Sequence, residues 1–442
     1  MKFRTCSVVI ALLLVLILDG KPLHAAAPVA EVYSVSVKET GAAGDGATDD
    51  SAAIQSALDL VASRPGGGIV VVPPGVYRID LAQSLVVKSN VKLLGIHNPT
   101  LSMHNFSSSY AFGYETLSIM GSRIVIDGIT IEGNDSIIRG IGIHSGSSQV
   151  KVVNSTIRNI SQSEDTDSPL YSALVSGILI YSQTSDVIID HSTIDHVRAI
   201  HRNPVARGIM VLAEEHLPVA QRVNITYNSI SNITPREDAD GIHFDEQPPG
   251  SLNSNSLVDH NTFDHVAKRA IKIAAPGVVV SNNHIMNSYL NDNAYLFPND
   301  TPLPQDMFAG ISVYADNVTV KGNLIEGTGC YYAAIEADQG TLHHINIKNN
   351  TISNGKQAKI KDSNGIRIGR IHDFLIMGNA VSNMQTGVFS PLTLDQNGII
   401  AHNTIHAVDF GVRFSNPEKK LYPSVKVTQN TIMARQHSII VE

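Results

Sequence analysis

The sequence predicts an all-β fold: a right-handed parallel β-helix, a solenoid of about ten or more coils, with an N-terminal capping α-helix. Three features predict it. An alternating run of β-branched residues closed by Asn-x-Ile recurs along the chain, a second short strand motif sits between its copies, and one amphipathic helical stretch precedes both. The repeats themselves show no helical periodicity, which leaves strands as the repeating unit.

The chain begins MKFRTC, continues SVVIALLLVLIL and leaves through DGKPLHAAAP. A positive start, an apolar run shorter than the ~20 residues that span a bilayer and a small-residue exit predict a secretory signal over residues 1–27, cleaved near Ala25 to Ala27. Residues 28–442 are then expected to form a single β-helix domain, secreted to the periplasm or beyond, without stable membrane insertion. Cleavage would remove Cys6 and leave Cys330 alone, which excludes an internal disulfide. Stability must come from the core, and a chain of 442 residues, 43% of them apolar, can supply a large one. A net charge of −8, modest for this length, argues against nucleic acid as the partner.

The stretch GAAGDGATDDSAAIQSALDLVASRPGGGIVVVPPGVYRI (41–79) holds the helix. Asp49 or Asp50 is the expected N-cap, and Ala53, Ile54, Ala57, Leu58 and Val61 share one face. That face would cover the open end of the first coil. GGGIVVVPPGVYRI then reads as a turn and the first strand.

Next come VNITYNSISNI (223–233), SLVDHNTFDHV (256–266), VTVKGNLIEGT (318–328) and INIKNNTISNG (345–355). Their common Asn falls at positions 228, 261, 283, 323, 350, 379, 403 and 430, at gaps of 22 to 40 residues, with Ser155 and Ser192 in the same place further back. Asn tolerates left-handed backbone, and its amide can bond its copy one coil away, so these residues are scaffold rather than site. A leucine-rich repeat would need leucines where this chain has Ile and Val.

The second motif runs RGIGIH, SGILIY, RGIMVL, DGIHFD, RAIKIA, AGISVY and NGIRIG, from Arg139 to Gly369. Period-two alternation turns both apolar residues inward, so the residue between them points outward. Stacking gives one outward column of Gly142, Leu179, Met210, His243, Lys272, Ser312, Glu336 and Arg367. A second column holds His144, Tyr181, Leu212, Asp245, Ala274, Tyr314 and Asp338, and the strand starts add Arg207, Asp240 and Arg269. With coils about 4.8 Å apart, His243 should lie beside Lys272 and Asp240 beside Arg269, the charges forming one exposed strip. Inserts at 161–175 and 287–308 should rise next to it, the latter bringing Tyr289, Tyr295 and Phe297 as sugar-stacking aromatics.

Residues 41–79 closely resemble the N-terminal signature of the pectate-lyase-like superfamily, a G-D-G-x-T-D-D stretch followed by P-P-G-x-Y. The resemblance implies a right-handed β-helix acting on carbohydrate, but not which reaction. DADGIHFD (238–245) is similar to the polygalacturonase motif N-T-D-G-I-D, with Asp240 as the shared acid. The next coil departs from that family: Lys268 and Arg269 stand where it has two acids, and Ala309 stands for its histidine, while Arg367 is kept. The paired carboxylates of a hydrolase are thereby lost, although Asp240, Asp245 and Glu336 could form a different pair.

A lyase fits better. Removing the proton α to a uronate carboxylate takes a base and a cation to neutralise the growing charge. His243 is the candidate base beside Asp240, with Arg269 and Lys272 as neutralisers; Lys272 is the alternative base if Arg269 lowers its pKa. The alternation of basic residues is similar to that of alginate- and chondroitin-type β-helix lyases and of mannuronan epimerases, although the epimerases' Y-G-F-D-P-H-D is missing. Asp245, Tyr314, Glu336, Asp338, Arg367, Arg207 and Tyr295 are the candidate substrate-binding residues. Asp238, Asp240, Asp245 and Glu246 are a candidate Ca²⁺ set, spaced unlike any calcium loop. The sequence therefore points to an enzyme that cleaves an anionic polysaccharide by β-elimination, with hydrolase and epimerase as alternatives. A non-catalytic glycan-binding or exopolysaccharide-assembly protein is the alternative of another class. The strand motif HSIIVE in the last coil leaves an edge that a loop or a second copy of the chain would cover.

Overall fold

The computed structural model describes residues 32–442 apart from 81–83, 105–114, 163–166, 168–169, 200–204, 235–238, 248–249, 287–308, 329–332, 356–360 and 393–395. The signal segment 1–27, Cys330, and Tyr289, Tyr295 and Phe297 of the second insert lie outside the described residues. Among the described residues no helix is long and apolar enough to cross a membrane.

Strands wind into three parallel sheets of 14, 14 and 13 strands, and from Leu85 onward each coil gives one strand to each sheet in turn. The first sheet runs from Ser34–Ser36 to Val425–Thr428, the second from Asp45–Asp49 to Thr431–Met433, and the third from Leu85–Lys88 to His437–Val441. Like residues stack on like. In the third sheet Ile178, Ile209, Ile242, Ile271, Ile311, Ile335 and Ile366 are successive register partners, all with no exposed surface. Burying each such side chain contributes about 1.5–3 kcal/mol, and the ladder of them forms one continuous core.

The helix Ser51–Ala62 packs Ile54, Ala57, Leu58 and Val61 onto this core, against the strands Gly68–Val72 and Leu85–Lys88. Gln55 holds it there, its side chain exchanging hydrogen bonds with the backbone of Val86 at 3.2 and 2.8 Å. The N-cap position is Asp50, but the Asp50 carboxylate accepts from the Ala43 and Gly44 amides rather than from the helix. Asp49 instead receives the Ser51 N–H at 3.0 Å.

The corner between the first and second sheets carries the Asn ladder. Each Asn side-chain oxygen accepts the backbone N–H of the Asn one coil earlier, at 2.9–3.0 Å from Asn228 to Asn430. Ser155 and Ser192 continue it backwards. The left-handed residue, however, is the one before each ladder position, Ser192 included: His191, Tyr227, His260, Asn282, Gly322, Asn349, Gly378, His402 and Gln429 all have φ between 47 and 70°. The ladder Asn thus serves through its amide and its predecessor makes the bend. From Ser122–Asp127 onward this corner is always two residues long, whereas the two corners flanking the third sheet vary widely.

That asymmetry positions the site. Strands of the first sheet alternate between buried and partly exposed positions, as in Ser185–Asp190. The third-sheet strands Val175–Ile180, Ala206–Val211, Asp240–Phe244 and Ala309–Val313 are buried at every position. A parallel sheet buried on both faces is covered on both, so these third-sheet strands keep their outward side chains from solvent as well.

Candidate functional site

The register joins the outward column as expected: Gly142 pairs Leu179, Leu179 pairs Met210, and Met210, His243, Lys272, Ser312, Glu336 and Arg367 follow in succession. The expected exposed strip is corrected. Asp240 has no exposed surface, Arg269 and Glu336 keep 1%, and His243 and Arg207 keep 2 and 3%. Charges at this depth persist only when paired, and Asp240 has three partners.

Asp240 is the hub. Its Oδ2 accepts from His243 Nδ1 at 2.8 Å and faces Arg207 Nη1 at 3.4 Å, while Oδ1 faces Arg269 Nη1 at 3.4 Å. Strand register explains the clamp, since Arg207, Asp240 and Arg269 occupy the same position on three consecutive coils. Burial alone would raise the Asp240 pKa, but Arg207, Arg269 and His243 together hold it well below the usual carboxylate range. Asp240 is therefore ionised, and it orients the His243 ring by taking its Nδ1 proton in a hydrogen bond. His243 Nε2 is buried without a hydrogen-bond partner among the described residues, with Asp245 Oδ1 3.5 Å away.

Asp245 is half-buried. Desolvation pushes its pKa up, yet His243 and the backbone N–H groups of Ala213 and Glu246 bring it below the usual value. Lys272, on the coil after His243, is partly exposed and its Nζ sits 5.5 Å from the Tyr314 ring centroid. Tyr314 donates to Glu336 Oε1 at 2.6 Å, as does Ser312 Oγ at 2.6 Å. Burial first and the Glu336 charge second raise the Tyr314 pKa, so its hydroxyl keeps its proton. Asp338 and Arg367 form an ion pair with each other, and the Arg367 guanidinium lies over Phe389 at 4.5 Å.

This arrangement reassigns several side chains. Arg207 and Arg269 were expected to meet substrate; both are buried, and each faces Asp240 at 3.4 Å. Glu336 is likewise buried, under Ser312 and Tyr314. The structure brings Asp240, His243, Asp245, Lys272 and Arg269 together and leaves the Asp338–Arg367 pair further along the sheet. Ser312 was passed over in sequence because a lone serine in a strand carries no motif; its contact with Glu336 follows only from register. The Ca²⁺ set does not fit. Asp240 is already neutralised by two guanidinium groups, Asp245 accepts two backbone N–H bonds, and Asp238 lies outside the described residues.

Comparisons agree with the fold. The family described as Rhamnogalacturonase A/epimerase, pectate lyase-like matches residues 34–294, and one described as Right handed beta helix region matches residues 305–442. The mannuronan C5-epimerase AlgE3 of Azotobacter vinelandii is 37% identical over 108 residues, 21% of this chain and 6% of that protein. Alginate lyase 7 of the same organism is 49% identical over 65 residues, 14% of this chain and 8% of that protein. The chain thus spans less than a tenth of these curated relatives. Among solved structures, the A-module of the A. vinelandii epimerase AlgE6 superposes with a TM-score of 0.65 at 17% identity, covering 90% of this chain and 99% of the module. PfbA, a surface adhesin of Streptococcus pneumoniae, superposes at 0.64 and 16% identity, covering 92% and 93%. At such identities the superpositions establish the right-handed β-helix and nothing finer.

Proposed function

We propose that this chain, which belongs to the rhamnogalacturonase A/epimerase, pectate lyase-like family, is an exported enzyme that removes the proton α to the carboxylate of a uronate unit in an anionic polysaccharide and cleaves the chain by β-elimination. The observation that carries the reading is the Asp240–His243 pair, in which an ionised carboxylate fixes the ring through Nδ1 and turns Nε2 toward the partly exposed Asp245, 3.5 Å away. An imidazole so oriented is a general base. Nε2 is shielded from solvent, so substrate must displace a neighbour on entry; Asp245, 30% exposed at 3.5 Å, is the charged group on that side. Lys272, next in the outward column and partly exposed, is the cation placed to neutralise the substrate carboxylate. Tyr314, which keeps its proton, is the candidate donor to the leaving oxygen. The helix Ser51–Ala62, by its apolar contacts, closes the core at its first coils.

Hydrolysis is less well served. It needs one carboxylic acid that stays protonated, and both Asp240 and Asp245 are held below the usual range. Epimerisation is the second reading, supported by the local likeness to mannuronan C5-epimerases and sharing the same proton abstraction. One experiment separates them: incubate the mature protein with alginate, polygalacturonate and chondroitin sulfate, and follow the ultraviolet absorbance of the conjugated double bond. A rise identifies a lyase. Exchange of the ring proton for solvent deuterium without a rise identifies an epimerase. New reducing ends without a rise identify a hydrolase, and binding with no change identifies a glycan-binding protein.

A further inference from the structure

Upstream on the same outward face lies a second group of polar side chains that the Asp240–His243 centre does not use. Its strands are Glu115–Met120, Arg139–Ile143 and Val175–Ile180, and Glu115, Arg139 and Ser176 occupy one register position on three consecutive coils. This is the column that continues into Arg207, Asp240 and Arg269. Opposite charges at neighbouring register positions would ordinarily pair. Here they do not.

Glu115 instead bends over the following coil. An added Cβ at Gly142 would sit 1.9 Å from Glu115 Oε2, so the missing side chain is what makes room for the carboxylate. Glu115 Oε1 accepts from Ser118 Oγ at 2.8 Å and contacts His144 Nε2, while Oε2 is buried with no partner among the described residues. Arg139 turns the other way, giving Nη1 to the Tyr181 hydroxyl at 2.9 Å, and among the described residues its Nε is also buried without a partner. Ser176 Oγ makes the third such atom. The His144 ring stacks on Tyr181 with centroids 4.6 Å apart. Buried polar atoms are paired in the great majority of cases, and leaving one unpaired costs about 1–3 kcal/mol. Three in one column, with an acceptor, a donor and a hydroxyl on successive coils, are complementary to a ligand that offers hydroxyls and a carboxylate.

We propose that Glu115, Arg139 and Ser176 form a second binding centre for a uronate unit of the same polysaccharide, separate from the centre at His243. Arg139 takes the carboxylate, Glu115 and Ser176 take ring hydroxyls, and the missing side chain at Gly142 gives the Glu115 carboxylate its place. Three coils separate Gly142 from His243, a span of about 14 Å. Leu179 and Met210, both buried, occupy the column between them. Polar contacts therefore come in two separate places, and only a chain of several units reaches both. This inference rests on the uronate reading above.

The test is binding of size-fractionated oligomannuronates and oligogalacturonates, dimers to decamers, by calorimetry to the full mature chain and to Glu115→Gln, Arg139→Gln and Ser176→Ala. The unaltered chain should gain affinity once the oligomer spans both centres, and that gain should fall about ten-fold in Glu115→Gln or Arg139→Gln. Ser176→Ala, the mildest change, should lose a few-fold and guards against a folding defect in the other two. If all three variants keep the full gain with length, the second centre is overturned while the His243 reading stands. If the unaltered chain binds no oligouronate and changes no acidic polysaccharide, both fall together.

Discussion

His243 Nδ1 lies 2.8 Å from Asp240 Oδ2, at a place where neither side chain is more than 3% exposed. Two arginines from the coils on either side hold the same carboxylate. A buried charge with three partners is stable only while all are present, which makes this pair open to test from both the stability and the activity side.

Asp240→Asn should cost about 3–5 kcal/mol, because it removes the buried carboxylate charge that Arg207, Arg269 and His243 all face. Denaturant unfolding at neutral pH measures it. The acid limb gives a second reading. The folded pKa of Asp240 lies below the unfolded value of about 3.9, so its stabilisation is fully present above that value and fades only as pH falls through the lower, folded pKa. The stability gap between the unaltered chain and Asp240→Asn should therefore persist at mildly acidic pH and close only in stronger acid.

His243→Ala should lower turnover of the polysaccharide by about 10²–10⁴-fold, the contribution of a positioned general base, with the far-ultraviolet circular dichroism of the β-helix retained. Lys272→Ala should lower kcat in the same assay, its fold equally intact. Near-normal rates in both would remove this assignment.

Asn283→Ala should destabilise by about 3 kcal/mol, since the amide serves Asn261 N, Val258 O and Asn323 Oδ1, all buried. Asn430, half-buried in the last step of the ladder, should cost less on the same change. Equal losses from the two, measured by urea unfolding, would mean that the ladder does not act through burial.

His402→Val should cost about 1–2 kcal/mol, because a β-branched residue is forced to φ 56°; His402→Asn should be close to neutral. Paired thermal melts decide it. The contrast separates the residue that bends the chain from Asn403, which bonds the coils together.

Much of this was legible in the sequence. Period-two alternation gave the third-sheet strands and the column from Gly142 to Arg367, and the recurring Asn marked the corner. The left-handed bend falls on the residue before the ladder position, and seven of those nine residues are His, Asn or Gly, which take that region most readily; the repeating Asn drew the assignment one position too far because it is the more regular signal. The sequence also could not show depth. The outward side chains of Asp240–Phe244 read as exposed because a strand motif says which face a residue takes but not what lies over that face. Glu115 escaped notice for a related reason: its meaning depends on Gly142, one coil on, where the informative feature is a missing side chain.

The two-residue corner at the Asn ladder also sets which errors the chain can absorb. Deleting one residue at that corner would flip the inward and outward sides of the strand that follows and break the amide ladder at that coil. The same deletion between Val211 and Gln221, where nine residues join two strands, changes only the length of a loop. One corner behaves as a reading frame and the others as free text, so variants arising by insertion should accumulate beside the third sheet, where they would alter what the chain grips without altering its axis.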